Sequence, residues 1–418
     1  MARTGGGSVL GRLTMDTRPF SHVHFRRLFT GNLLSSIGAQ MTLVAVGVQV
    51  YQLTRSSAMV GYTSLFALVP LIGFGLIGGA LADTIDRRTL TIWSTILTAV
   101  TSVLLFAQAV THLGSVWVIW VLVAVQSGAA AVYRPARGAM LPALIPVALI
   151  PAANTIASSV QSAAMIVGPL VAGLLVARAG VTWAYLGEAV LLVLAILTLA
   201  GLPSQRVAVT SDRHPFASAL SDVADGFRYL RTQPLLTMQY VVDLIAMILG
   251  WPLAVFPALA DQRFGADSIG WLYAGASIGA VLAGLFSGWI STIRRHGATI
   301  IVSVAVWGVA ILAFAFTHNL VLALACLAVA GAADLVSASL RMTMLQVLTP
   351  DEMRGRMQGV FMVVVAGGPR LGDVRLGTMA ALLGPTVALA SGGVVIFVLM
   401  AAIALVFTTL WRYTPADA

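Results

Sequence analysis

Apolar residues run along this chain in blocks of about twenty, the length a helix needs to cross bilayer hydrocarbon, and arginine, proline, glycine and acids gather in the short intervals between. Read between flanking charges and turn residues, the blocks predict twelve spans. They lie at about 28–53, 58–82, 89–110, 116–134, 151–177, 183–203, 234–260, 268–290, 299–317, 320–347, 357–381 and 387–410. In lipid only a helix or a closed barrel satisfies its own backbone, and runs this long without a period-two alternation predict helices. The expectation is an all-α membrane protein with twelve transmembrane helices. Its parts are an N-terminal segment 1–27, a six-helix bundle 28–203, a linker 204–233, a second six-helix bundle 234–410 and a tail 411–418.

The linker is patterned. Phe216, Leu220, Val223, Phe227 and Leu230 recur at helical spacing with Arg228 and Arg231 beside them, which predicts an amphipathic helix resting on the membrane interface. On either side of it the chain looks duplicated. Arg137-Gly-Ala-Met140-Leu141-Pro-Ala-Leu144-Ile-Pro146 and Arg341-Met-Thr-Met344-Leu345-Gln-Val-Leu348-Thr-Pro350 both read R-x-x-M-L-x-x-L-x-P, 204 residues apart. Arg87-Arg88 and Arg294-Arg295 lie 207 apart, and Gly168-Pro169 and Gly368-Pro369 lie 200 apart. Six spans per half make the repeats parallel, an arrangement found in two-bundle transporters that rock about a midplane site.

Composition narrows the class. Hydrophobic residues make up 59% and charged residues 9%, against about 25% charged in a soluble domain; soluble, disordered and nucleic-acid-binding proteins are excluded. The net charge of +9 comes from arginine alone, because the chain has no lysine. With the N-terminus inside, nineteen arginines, Arg341 among them, fall in cytoplasmic segments and only Arg55, Arg178 and Arg263 in external loops. This asymmetry predicts a cell (inner) membrane protein with both termini cytoplasmic. Residues 1–27 lack the apolar stretch of a cleavable signal. The single cysteine, Cys326, lies inside an apolar run, so no disulfide framework is expected. No metal-spaced histidines, nucleophile elbow or phosphate-binding glycine loop appears. Neither a metal nor a cofactor is expected, and an enzyme or sensor on a transporter scaffold would lack a reactive constellation.

Charges inside spans each need a partner or a task, at about 2.5–3.5 kcal/mol apiece on insertion scales. Asp243 lies in span 7, and Asp334 lies in span 10 with Ser337 and Arg341 following on its face. Both aspartates are proton-coupling candidates, since a carboxylate taken out of water can load and release a proton. In span 11, Arg370, Asp373 and Arg375 cluster, and the i,i+3 spacing predicts a local Arg370–Asp373 pair. Glu188, shallow in span 6, reads as an interface residue. Asn32, Ser36 and Gln40 in span 1, Gln126 in span 4 and Gln239 in span 7 join the two aspartates as cavity-lining candidates.

The turn after span 2, Gly79-Ala-Leu-Ala-Asp83-Thr-Ile-Asp86-Arg87-Arg88, combines a small residue, an acid able to cap a helix and paired cations, the parts of a latch. It resembles motif A of the major facilitator superfamily, G-x-x-x-D-[R/K]-x-G-[R/K]-[R/K]. Gly79, Asp83, Arg87 and Arg88 match; Thr84 and Asp86 depart from it. In span 5, Ala164-Met-Ile-Val-Gly168-Pro169-Leu-Val-Ala172-Gly173 sets small residues around a kinking proline. It resembles the antiporter motif C, G-x-x-x-G-P-x-x-G-G, of drug exporters, with Ala164 and Ala172 replacing glycines while Gly168, Pro169 and Gly173 match. Motif B is half present, with Gln126 in place but Val123 where the arginine stands. Tyr133-Arg-Pro-Ala-Arg137 with Asn154, Phe256-Pro-Ala-Leu-Ala-Asp261, Thr349-Pro-Asp-Glu-Met-Arg-Gly-Arg356 and Gly368-Pro-Arg-Leu-Gly-Asp373 resemble the enterobactin-exporter-like branch, which also holds macrolide and multidrug efflux relatives. The resemblance implies the major facilitator fold, with spans 1, 4, 7 and 10 around a central cavity. It also implies a monomeric secondary transporter in the lipid bilayer, exporting a small-molecule substrate by proton-coupled alternating access. The expected cargo is a siderophore of the enterobactin type, the alternative being broad multidrug or macrolide efflux.

Overall fold

The computed structural model describes residues 16–205 and 215–414, apart from the side chains at 76, 80, 83 and 215–219. Its helices are, in chain order, α1 (Val23–Thr54), α2 (Ser57–Thr84), α3 (Arg87–Val110), α4 (Val116–Leu144), α5 (Ile150–Ala179), α6 (Val181–Ala200), α7 (Pro215–Thr232) and α8 (Pro234–Gly250). The remainder are α9 (Phe256–Leu259), α10 (Ile269–Leu285), α11 (His296–Phe316), α12 (Leu320–Leu348), α13 (Arg354–Leu383), α14 (Pro385–Val406) and α15 (Thr408–Arg412). No strand occurs among the described residues. Tight turns join neighbouring helices. Gly180 (φ 90°) turns α5 into α6 and Gly384 (φ 85°) turns α13 into α14, a backbone region that favours glycine. The two lie 204 residues apart, so the duplication extends to the turns.

Among the described residues eleven segments are long and apolar enough to cross a membrane, the broken stretch Pro234–Phe264 counting as one. The twelfth predicted span is α13, a helix of 30 residues whose Arg370, Asp373 and Arg375 dilute its apolarity. It packs among α2, α8 and α14. Large apolar side chains such as Val69, Leu197, Leu285, Val321 and Leu382 face outward, as expected where lipid is the solvent.

In the first half α1 packs on α5 and α6, α3 on α4 and α6, and α2 on α4; in the second α12 packs on α10 and α11, and α14 on α11 and α13. The halves meet along two seams, α2 on α13 and α5 on α10. Small residues permit the approach: Gly61 lies against the Asp373 and Val374 backbone, Gly377 against Ser57, and Gly173 against Gly270. The linker forms the helix α7, and its apolar stripe is divided between the second bundle and the outside. Leu230 is buried, Val223 meets Gly359 and Gly226 meets the Arg356 backbone, while Leu220 and Phe227 remain exposed. Arg356 holds Asp222 at 3.4 Å and Asp225 at 3.9 Å, so charge pairing and a close glycine contact dock α7 onto α13. The Phe216 side chain, Arg206 and Arg213, like residues 1–15, lie outside the described residues.

Candidate functional site

α8, α12 and α13 enclose a cavity of about 250 Å³ lined by Gln239, Tyr240, Asp243, Met247, Trp251, Asp334, Ala338, Arg341, Met342, Leu345, Phe361, Val365 and Pro369. At its centre Arg341 Nη1 pairs with Asp243 and Arg341 Nη2 lies 3.7 Å from Asp334 Oδ1. One guanidinium therefore serves two carboxylates, leaving one acid in excess. Arg341, counted with the cytoplasmic arginines, lies inside the cavity with its side chain only 14% exposed. It follows Asp334 by seven residues, two helical turns, and helical side chains lean toward the N-terminus, which brings the guanidinium back to the aspartates. The sequence placed Asp334 and Arg341 on one face of span 10 and Asp243 in span 7, but not their mutual pairing.

α1, α4 and α5 enclose a second, smaller cavity of about 90 Å³, lined by Phe25, Leu28, Phe29, Asn32, Arg137, Gly138, Leu141, Asn154 and Ala157. Arg137 makes no ion pair among the described residues, and its buried Nε lacks a hydrogen-bond partner. Of the residues expected to line a cavity, Asn32 belongs here, and Gln239, Asp243 and Asp334 to the first. Ser36 and Gln40 line neither; Gln40 packs on Gly168 of α5.

Gln126 points elsewhere. It donates to Glu188 Oε1 at 3.0 Å, and Ser102 Oγ and Thr42 Oγ1 donate to Glu188 Oε2, the former at 2.6 Å. Glu188 is fully buried, which corrects its reading as an interface residue. On α6 the outward face is Val190, Val193, Leu194 and Leu197, whereas Glu188 shares the inward face with Tyr185, Leu192 and Leu199.

The span 11 charges also differ from expectation: Arg370 and Asp373 form no salt bridge. α8 ends at Gly250 and Trp251-Pro252 interrupts the span, because proline cannot donate to the helical ladder. The interruption frees backbone groups that lipid cannot satisfy, and α13 serves them. Asp373 Oδ1 accepts from Ala254 N at 3.2 Å, and Arg375 Nη1 donates to Leu249 O at 2.9 Å. Ser64 of α2 donates to Asp373 Oδ2 at 2.6 Å, tying the seam between the halves, while Arg370 turns back to Ala366 O at 2.9 Å. The sequence signal was the Trp251-Pro252 pair inside a predicted span. Asp373→Ala is expected to orphan the Ala254 amide and the Ser64 hydroxyl, at about 1–3 kcal/mol for each unsatisfied group. A thermal melt of the purified protein would record the drop, and an unchanged midpoint would refute this bracing role.

At the motif A turn Asp86 caps α3, accepting from Thr89 N at 3.0 Å, and takes further hydrogen bonds from the Ser204 hydroxyl and from Gln205 N at 3.1 Å. Burial opposes ionisation of Asp86, but the bonds from Ser204, Thr89, Gln205 and Arg88 together hold its carboxyl below the usual carboxylate range. Arg87 Nη1 reaches Ala139 O at 2.8 Å and Arg88 Nη2 reaches Ala200 O at 2.5 Å, near the carbonyl ends of α4 and α6, where a cation is favoured. Gly79 has open space around it; the Asp83 side chain lies outside the described residues. At the face away from the chain ends the two halves are tied. Arg55 pairs with Asp261 at 2.9 Å, Gln262 donates to Tyr51 Oη at 2.9 Å, and Arg178 approaches Asp267 at 3.8 Å. Both cavities lie toward the opposite face, as Leu345 near the end of α12, Phe361 near the start of α13 and Phe25 near the start of α1 indicate.

A family model described as transmembrane secretion effector matches residues 14–417. The enterobactin exporter EntS of Shigella boydii serotype 4 (strain Sb227) is 28% identical over 395 residues, covering 94% of this chain and 94% of that protein. The enterobactin exporter EntS of Escherichia coli O9:H4 (strain HS) is 28% identical over 399 residues, covering 94% and 95%. Among solved structures, the nucleoside transporter NupG superimposes with a TM-score of 0.73 at 14% identity, over 93% of this chain and 99% of that one. A bacterial homologue of the human lysosomal transporter Spinster, inward-facing and unoccupied, gives a TM-score of 0.69 at 15% identity over 96% and 100%. At these identities the structural likeness shows the fold alone.

Proposed function

Because the chain belongs to the transmembrane secretion effector family of major facilitator transporters, we propose that it is a proton-coupled exporter of a small amphiphile, of the enterobactin siderophore type. The observation that carries this reading is the Asp243–Arg341–Asp334 cluster in a cavity of a duplicated helical fold. A proton on one aspartate of the pair cancels that acid's hold on Arg341, which then pairs with the other alone; loss of the proton restores the shared arrangement. The cluster thereby has two charge states with different contacts, the requirement for coupling a proton to a conformational equilibrium. A proton crossing the membrane potential supplies about 2.3 kcal/mol per 100 mV.

The moving units are the bundles 28–203 and 234–410, joined through 204–233, working as a monomer in the inner membrane with both chain ends cytoplasmic. The arginine distribution supports that orientation. The cavities then open from the cytoplasm while Arg55–Asp261 and Gln262–Tyr51 seal the outer face. Pro169 and Gly173 lie against Gly270 and let α5 slide on α10, Gly168 lets it approach α1, and Arg87 and Arg88 latch the inner turn. The names of the relatives favour a siderophore; the motif C segment is shared with drug exporters, and so keeps multidrug efflux as the competing cargo.

Everted membrane vesicles offered a catecholate siderophore and a panel of unrelated drugs test both points. Uptake of the siderophore that a protonophore abolishes is expected. Drug uptake without siderophore uptake would move the cargo to the competing class, and flux indifferent to the protonophore would remove proton coupling.

A further inference from the structure

The two cavities are copies of one another. Arg341, Met342 and Leu345 of α12 line the larger, and Arg137, Gly138 and Leu141 of α4 line the smaller, each set 204 residues from its counterpart. α8 and α13 complete the first pocket as α1 and α5 complete the second. The copies have diverged at the charge. Arg341 is neutralised by Asp243 and Asp334, whereas the wall facing Arg137 carries the amides of Asn32 and Asn154 and no acid. Arg137 therefore stands among membrane helices with a buried Nε lacking any partner. No acid lines its cavity, and among the described residues neither Arg137 nor Arg134, one turn earlier, forms a salt bridge. An uncompensated guanidinium beside aromatic walls calls for an anion, because a charge-assisted bond to carboxylate or phenolate satisfies the donor that the protein leaves open.

We propose that the α1–α4–α5 pocket seats the acidic group of the cargo. The ligand is a small organic anion with an apolar body. Its carboxylate or phenolate binds Arg137, Asn32 and Asn154 hold its neighbouring polar atoms, and its body packs against Phe25 and Phe29. The duplicated site has thus divided its labour, the copy with acids answering to protons and the copy without them to the cargo. This rests on the exporter reading above and names its substrate class.

The test is equilibrium binding of radiolabelled benzoate and of its neutral isostere benzamide to the full chain in phosphatidylcholine nanodiscs, without any gradient. Benzoate is expected to bind about tenfold or more tightly than benzamide, the worth of one charged hydrogen-bonded contact. Arg137→Gln should erase the preference, Arg137→Lys should keep part of it, and the surface change Arg412→Gln should leave it intact. Equal binding of the two probes by the unmodified chain, or a preference that survives Arg137→Gln, would overturn the proposal. An anionic lipid headgroup carries the same charge, so the measurement is repeated with phosphatidylglycerol; benzoate displaced by that lipid would make this a lipid site and overturn the cargo assignment. If Arg137→Gln does not yield a monodisperse protein, the benzoate-to-benzamide ratio of the unmodified chain and of Arg137→Lys still decides. Protonophore-sensitive flux on the same preparation keeps the two claims apart. Flux without benzoate selectivity sinks only this inference, and selectivity without flux sinks only the exporter reading.

Discussion

Asp243→Asn is expected to reduce gradient-driven efflux to the level of vesicles lacking the protein, while the chain still inserts and folds. Asparagine keeps the size and hydrogen-bonding of a protonated aspartate but cannot release the proton, so the cluster is held in one of its two charge states. Arg341 would then rest on Asp334, 3.7 Å away, and a pH gradient would have nothing to act on. Substrate exchange across the membrane at equal pH on both sides should persist, because it needs conformational change but no net proton movement. Efflux at the unmodified rate in Asp243→Asn would take this carboxylate out of the coupling role and leave Asp334 as the candidate.

Arg341→Gln is expected to destabilise the fold more than any other single change in the cavity. It leaves Asp243, which is 4% exposed, as a buried carboxylate without its cation, and breaking a buried pair from one side costs about 3–5 kcal/mol. Removing both partners is milder than removing one, so the double variant Asp243→Asn with Arg341→Gln should recover much of the lost thermal stability while remaining inactive. Melting curves of the four proteins form a double-mutant cycle. Additive losses would show that the two side chains do not depend on each other.

The helices and the duplication were legible because a bilayer forces long apolar runs and because the second half repeats R-x-x-M-L-x-x-L-x-P and Gly-Pro at matching positions. What was not legible depended on which way a side chain points. Arg341 counts among the cytoplasmic arginines from its place near the end of span 10, yet its long stem reaches back two turns to Asp334. Glu188 reads as shallow from its place in span 6, but the facing hydroxyls of Thr42 and Ser102 lie on helices remote in sequence. The i,i+3 spacing of Arg370 and Asp373 was real; the competing demand came from a broken helix whose free Ala254 amide only tertiary packing brings near. For the small cavity, Asn32 and the Tyr133–Arg137 stretch were both visible, and their meeting across α1, α4 and α5 was not.

Proton occupancy of the Asp243–Asp334 pair biases the equilibrium between the two open faces of the two-bundle structure. Spin labels at Gln52→Cys and Ala266→Cys, on opposite halves beside the Arg55–Asp261 tie, read the opening of that face directly by their separation. Acidification is expected to change the distance distribution, and Asp243→Asn at neutral pH is expected to adopt the acid distribution and no longer respond to pH. A distribution indifferent to both pH and Asp243→Asn would contradict this bias.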